Sequence, residues 1–144
     1  MSTAVLVILA IMGGMASALQ GHFMGIMDQK IGSKESVFFT YAGGGLLITL
    51  VMLLSRGGHL STWQNAPWYS FTAGALGLVI VGAIGYTVPR LGMAKAFTLI
   101  VASQLVMAIL FDQFGLLGAP IRTLGVSRLF GLALTILGVW LVLG

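Results

Sequence analysis

Long apolar runs separated by short polar stretches dominate this chain. The runs cover approximately residues 4–27, 36–54, 68–88, 91–111 and 126–143. Each run approaches the roughly 20 residues that a helix needs to cross the hydrocarbon core of a bilayer. Alternation of apolar and polar residues never persists beyond a few positions, so the pattern does not favour strands. Because lipid admits only helices or closed barrels, the pattern predicts an all-α membrane protein. We expect five transmembrane helices forming a single domain over residues 1–144.

The composition agrees with this prediction. Of the 144 residues, 58% are hydrophobic and 7% are charged, whereas a soluble domain carries about 25% charged residues. Most of the surface must therefore face something apolar, and membrane lipid is the expected partner. The first apolar run is too long for a signal peptide, so we expect it to be retained as the first helix.

Turn and cap signals mark the ends of two predicted helices. Ser33 is a plausible N-cap for the second helix, and Pro67 suits the first turn of the third. Trp63, Trp68 and Tyr69 cluster beside Pro67, as expected of aromatic residues at a membrane interface.

The basic residues are divided almost evenly between the two membrane faces. Five crossings place the N- and C-termini on opposite faces, so one face carries Arg56, Arg122 and Arg128, and the other carries Lys30, Lys34, Arg90 and Lys95. A chain with one fixed orientation normally has a clear excess of basic residues on its cytoplasmic side. We therefore predict insertion in both orientations and an antiparallel dimer with a two-fold axis in the membrane plane. A fixed orientation, or an inverted partner of different sequence, remains open.

Several sequence stretches carry a family resemblance. They are LGMA at 91–94, VASQL at 101–105 and FDQFGLLGAP at 111–120, together with Gln20, APWY at 66–69, RLFG at 128–131 and GVWL at 138–141. Over essentially the whole chain they resemble the YdcZ-like family, small five-helix members of the drug/metabolite transporter superfamily. The resemblance implies a multi-pass protein of the bacterial inner membrane that exports small metabolites or drugs. Partners in this family are inverted copies or paralogous five-helix chains. One position departs from the pattern, because relatives often carry Asn where this chain has Met24.

Polar side chains inside the predicted spans are the candidate substrate-binding residues, because such groups are costly in lipid and usually face a cavity or a partner. Gln20 and Gln104 could hydrogen-bond a polar substrate, or could only join helices to one another. The weaker candidates are Ser17, Ser103, Tyr86, His22 and Lys95. A serine can bond to its own helix, Lys95 can extend to the headgroups, and His22 can be an interfacial histidine.

The three acidic residues, Asp28, Glu35 and Asp112, fall at predicted helix ends or in connections. Small multidrug exporters of the superfamily exchange protons at a glutamate in the first helix, and no predicted span has such a group at its middle. We therefore expect neutral or weakly polar substrates, or uncoupled transport. Asp112 could act as a gate, although an acid at a helix end in solvent is the more ordinary interpretation.

Glycines suggest where helices pack closely. In the superfamily the last helix forms the dimer contact, so the resemblance implies that Gly131, Leu134 and Gly138 meet the partner subunit; packing within the subunit is the alternative. The third helix contains Gly74, Gly77, Gly82 and Gly85, and we expect it to pack tightly inside its own bundle.

Other classes of function find little support. No arrangement of residues suggests a catalytic site, and His22 and His59 are too isolated to suggest a metal site. The scattered basic residues do not indicate nucleic-acid binding, and no cofactor motif is present. We therefore predict a transporter, not an enzyme, that binds its unidentified small-molecule substrate between inverted subunits and works by alternating access. A dual-topology ion channel and a structural or assembly protein are the alternatives.

Overall fold

A computed structural model describes residues 2–58, 60–123 and 125–144, and its regular elements are all helical. The long helices are α1 (Thr3–Ile31), α2 (Ser33–Leu54), α3 (Ala73–Leu91), α4 (Met93–Phe114) and α5 (Val126–Leu143). Short 3-10 helices cover Leu60–Asn65, Trp68–Thr72 and Leu116–Gly118. Within the described residues, five helices are long and apolar enough to cross a membrane, α3 being counted together with the 3-10 turn that precedes it. The predicted all-helical class and five spans are confirmed.

Single glycines separate α1 from α2 and α3 from α4. Helix α1 continues four residues beyond its predicted end, and Gly32 alone joins it to α2. Gly32 has φ 104°, and Gly92, which joins α3 to α4, has φ 83°. A residue with a side chain rarely adopts these angles, whereas the polar residues between 28 and 35 are compatible with a helix. Ser33 is therefore not the N-cap of α2: Gly32 holds that position, and the Ser33 hydroxyl donates to Asp28.

An irregular aromatic segment precedes α3. The amide and the hydroxyl of Ser70 both donate to the carbonyl of Pro67, at 3.0 and 2.6 Å, and form a 3-10 turn. The rings of Trp63 and Phe71 meet edge to face, with 6.1 Å between their centroids, and Trp68 is largely exposed. Exposed aromatic rings at the end of a span suit the headgroup region of a bilayer.

The chain divides into two compact units, which are described separately. The first ends at Arg90 and contains α1, α2 and α3; the second begins at Leu91 and contains α4 and α5. In the first unit the buried side chains gather where α1 ends, α2 begins and α3 ends. Met24, Ile84 and Val88 form the apolar part of this core, and Ser36 is fully buried beside them. Elsewhere the helices expose large apolar side chains, as expected of surfaces that meet lipid.

Glycines of α3 let the three helices of the first unit approach closely. A Cβ added at Gly85 would lie 3.1 Å from the Cε atom of Met24, and one at Gly77 would collide with the hydroxyl of Tyr41. At Gly74, nearer the start of the helix, a Cβ would meet nothing within 4 Å. At Gly82 a Cβ would make an ordinary contact with Val37, at 3.8 Å. The tight packing predicted for the third helix therefore holds at Gly77 and Gly85, but not at Gly74 or Gly82.

This difference gives a matched pair of substitutions. We expect Gly85→Leu to force the helices apart and to destabilise the protein by about 1–3 kcal/mol, the usual cost of overpacking. Gly74→Leu should change stability little, because a Cβ at this position meets nothing within 4 Å. Thermal unfolding in a mild detergent measures both variants. Equal losses of stability would contradict the packing described for α3.

Candidate functional site

A polar cluster lies at the end of the first unit where its three helices meet. Asp28 in the last turn of α1 accepts hydrogen bonds from both other helices: from the Ser33 hydroxyl at the start of α2, and from Nη1 of Arg90 in the last turn of α3, at 2.9 Å. The Asp28 side chain is 3% exposed, whereas that of Arg90 is 47% exposed. The ion pair therefore joins α1 to α3 around an almost fully covered carboxylate.

The Arg90 guanidinium is further positioned by Tyr86, one turn earlier on α3. Nη1 of Arg90 donates to the Tyr86 carbonyl at 2.6 Å, and the guanidinium carbon lies 3.6 Å from the centre of the Tyr86 ring. A basic group near the last carbonyls of a helix is favourable, and a cation over an aromatic face adds to that stabilisation. Tyr86, a predicted substrate-binding residue, thus lies against an ion pair.

Position 24, the one departure from the family resemblance, is a packing position in this chain. Met24 is 1% exposed, and its backbone carbonyl accepts a hydrogen bond from the buried Ser36 hydroxyl at 3.1 Å. The close approach of Gly85 makes room for the Met24 side chain. An apolar side chain therefore fills the point where the three helices of the first unit meet.

Gln20 lines an open groove of about 340 Å³ beside α1 and α2. The groove is otherwise lined by Thr40 and by apolar residues, namely Ala16, Leu19, Phe23, Met24 and Met27. The Thr40 hydroxyl already donates to the Ser36 carbonyl on its own helix, at 2.8 Å. The Gln20 amide is therefore the lining group with hydrogen-bonding capacity to offer a ligand.

The other candidates of the first unit do not gather around Gln20 in a single polar site. Ser17 is half-buried one turn earlier on α1, and His22 is exposed, with its ring next to that of Phe23. His59 lies outside the described residues. Within residues 2–58, 60–123 and 125–144, no group of three or more His, Asp or Glu side chains could hold a metal ion.

In the second unit, Gln104 and Ser103 lie at the middle of α4 and are both exposed. The Ser103 hydroxyl donates to the Ile100 carbonyl at 2.8 Å, so it satisfies itself on its own helix. The Lys95 ammonium donates to the Leu143 carbonyl in the last turn of α5, at 3.0 Å. Lys95 thus fastens the start of α4 to the end of α5.

The seam between α4 and α5 is open along much of its length. One groove of about 360 Å³ lies towards Asp112 and Arg128, and another of about 480 Å³ lies towards Val142. Gly131 lines the first groove and Gly138 the second, and a Cβ added to either glycine would meet nothing within 4 Å. Neither of these predicted dimer-contact glycines is thus tightly packed by its own subunit.

The sequence analysis did not predict the ion pair between Asp28 and Arg90. Asp28 lies in the last turn of α1, at a helix end as predicted, but it is buried and paired with Arg90, which was not predicted. The available signal was the predicted topology, which places the end of the first helix and the end of the third on the same face. Opposite charges at two such ends can meet, but the topology alone does not identify which residues pair.

Comparisons with known proteins agree with these observations. Residues 5–141 match the family described as "Putative inner membrane exporter, YdcZ". A search of the curated proteins and of the solved structures gave no significant match. The family match indicates a transporter rather than an enzyme, and together with the five apolar helices it indicates a multi-pass protein of the inner membrane. The chain therefore belongs to the YdcZ family of inner membrane exporters.

Proposed function

We propose that this exporter works as a pair of inverted copies, which bind a neutral or weakly polar metabolite or drug near mid-membrane and export it by alternating access. The observation that carries the proposal concerns two amides on membrane-spanning helices. Gln20 and Gln104 are both exposed, and their side chains have no hydrogen-bond partner in the part of the chain that the structure describes.

An amide that faces hydrocarbon without a partner is costly, on the order of 4 kcal/mol or more. Two such groups in one chain favour a state in which something polar covers them. A second subunit placed over either helix would cover the amide on that helix. The covered amide could then bind water, substrate or a polar group of the partner.

The distribution of basic residues supports an inverted second copy. Three basic residues on one predicted face and four on the other give neither orientation a clear advantage under the positive-inside rule. Copies inserted in both orientations would be available to pair in the same membrane. A paralogous chain of opposite orientation would satisfy the same geometry.

The groove beside Gln20 supports the class of substrate. Its walls are mainly methionine, leucine and phenylalanine side chains, with one amide free to bond. Small-molecule sites commonly combine apolar walls with a few polar groups. A lipophilic molecule with one or two hydrogen-bonding groups would suit these walls better than an ion.

Helix α5 is the proposed contact between subunits, through Gly131, Leu134 and Gly138. The open space beside both glycines and the exposed Leu134 side chain support this assignment. Small residues at such positions let a second helix approach closely, which is the main source of helix association in lipid.

We expect Gln104→Ala to reduce transport without dissociating the dimer. Losing one hydrogen bond to the substrate costs about 0.5–1.5 kcal/mol, or roughly two- to twelvefold in affinity. A panel of uncharged metabolites and lipophilic drugs, tested on protein reconstituted in liposomes, first identifies a transported compound. Its flux and the oligomeric state are then compared between the wild type and the variant.

Ser103→Ala is the matched control, because its hydroxyl is already bonded to the Ile100 carbonyl. It should leave flux close to that of the wild type. The contradicting result is a Gln104→Ala protein that forms fewer dimers but keeps a normal flux per dimer. The amide would then belong to the subunit contact and not to the substrate site.

A further inference from the structure

The end of the α4–α5 seam combines an apolar groove with two opposite charges. Asp112 lies in the last turn of α4 and Arg128 in the first turn of α5. Both line the groove of about 360 Å³, whose other walls are Leu105, Ala108, Ile109, Gly131, Leu132 and Thr135. The Thr135 hydroxyl already donates to the Gly131 carbonyl. The groove therefore presents free polar groups at one end only.

The two charges are not fully engaged with each other. Nη1 of Arg128 lies 3.6 Å from Oδ2 of Asp112, and the side chains are 48% and 38% exposed. A strong charge-assisted hydrogen bond would have a length of about 2.8 Å. The guanidinium thus keeps N–H groups available for an anion, and the carboxylate keeps oxygen atoms available for a cation.

The place of this pair in the span indicates what could bind there. Both residues lie at the ends of membrane-spanning helices, and such ends meet the lipid headgroups. The groove leads from them along the helices towards residues nearer mid-span. A ligand that matches it has both signs of charge at one end and a hydrocarbon chain at the other.

We propose that this groove binds a phospholipid whose headgroup carries a primary ammonium, as in phosphatidylethanolamine. The phosphate accepts hydrogen bonds from Arg128, the ammonium donates to Asp112, and an acyl chain fills the apolar groove. A choline headgroup has no N–H to donate to Asp112. An anionic headgroup leaves Asp112 facing added negative charge.

Two neighbouring features bear on this assignment. Arg122 is the other charged residue of the connection, and its backbone N–H donates to the Asp112 carbonyl at 2.8 Å, but its side chain does not line the groove. Gly131 also belongs to the proposed subunit contact, so a helix of the second copy would reach the groove from the Gly138 side and the lipid headgroup would occupy its charged end. A helix packed against the charged end of the groove would bury Asp112 and Arg128 without supplying charged groups to pair with them, which is unfavourable. A zwitterionic headgroup, in contrast, can pair with both residues.

Native mass spectrometry of the full chain, titrated with phosphatidylethanolamine, phosphatidylcholine and phosphatidylglycerol of identical acyl chains, tests the proposal. We expect phosphatidylethanolamine to bind about tenfold more tightly than phosphatidylcholine, the effect of one charge-assisted hydrogen bond. Asp112→Asn should remove this preference, and Arg128→Gln should weaken binding of both lipids. Arg122→Gln removes one positive charge, as Arg128→Gln does. It should keep both the affinity of the wild type and its preference for phosphatidylethanolamine.

A second variant leaves both charges in place. Ala108→Phe fills the groove and should reduce lipid binding, whereas Leu110→Phe, on α4 outside the groove, should not. Equal affinity for all three lipids in the wild type would overturn the proposal. The proposal would also be overturned if the Ala108→Phe protein no longer formed dimers but still bound lipid as the wild type does. That result would assign the groove to a second copy of the chain.

Discussion

Replacing Arg90 by leucine is expected to destabilise the first unit by about 1.5–3 kcal/mol. The substitution leaves the Asp28 carboxylate without its cationic partner, although the Asp28 side chain is only 3% exposed. Losing a hydrogen bond to a charged group costs about 1.5–3 kcal/mol. The loss is smaller than for a fully buried ion pair, because the Arg90 side chain is 47% exposed and the Ser33 hydroxyl still donates to Asp28. Arg90→Leu also removes the contacts of the guanidinium with Tyr86. These losses would separate the end of α3 from the end of α1.

Yield of monodisperse protein and thermal unfolding in a mild detergent measure this effect. Arg128→Leu is the matched control, because its partner Asp112 is 38% exposed and 3.6 Å away. An exposed, widely spaced pair is worth less than about 1 kcal/mol. Adding Asp28→Asn to Arg90→Leu should recover part of the stability by removing the unpaired charge. Similar stability of the Arg90→Leu and Arg128→Leu proteins would contradict the structural role of Asp28.

Locking the chain in one orientation should abolish transport, and mixing the two locked forms should restore it. If the working unit is an inverted pair, a membrane that holds a single orientation contains no such pair. The near balance of basic residues between the faces means that a few substitutions suffice to create a clear bias.

Two variants create opposite biases without changing any basic side chain that forms a contact described above. Arg56→Gln with Arg122→Gln leaves one basic residue on that face against four on the other. Lys30→Gln with Lys34→Gln and Ser61→Lys gives a bias of the opposite sign, with four basic residues on that face against two on the other. Each variant alone should lose nearly all flux, and co-expression of the two should recover it.

Arg56→Lys with Arg122→Lys preserves the charge of both faces and should transport normally. Full activity of either locked variant on its own would show that a single orientation is sufficient for transport.

The spans of this protein were predictable because they depend on local composition. Runs of apolar residues of sufficient length determine where helices cross lipid, and all five were identified. The helix ends were less predictable, since the polar residues from Asp28 to Glu35 suggested a loop. Gly32 interrupts the helix at a single residue, because its positive φ is easily adopted by glycine.

The ion pair of Asp28 and Arg90 depends on tertiary packing that periodicity does not encode. These residues are 62 positions apart, and they meet because Gly85 lets α3 approach α1 closely beside Met24. The glycines of α3 were recognised as packing residues, but which of them make contact depends on the neighbouring helix. Gln20 and Gln104 were identified as candidate substrate ligands from their chemistry alone, and that role remains a prediction.

Labelling of a single cysteine from one side of the membrane tests inverted pairing most directly. The chain has no cysteine, so Ser61→Cys places the sole thiol in the exposed connection between α2 and α3. Gln29→Cys, in the last turn of α1, reports on the opposite face. With a membrane-impermeant maleimide applied outside intact cells, we expect about half of the molecules of each variant to react. Complete labelling of one variant with none of the other would contradict the inverted pair of identical chains.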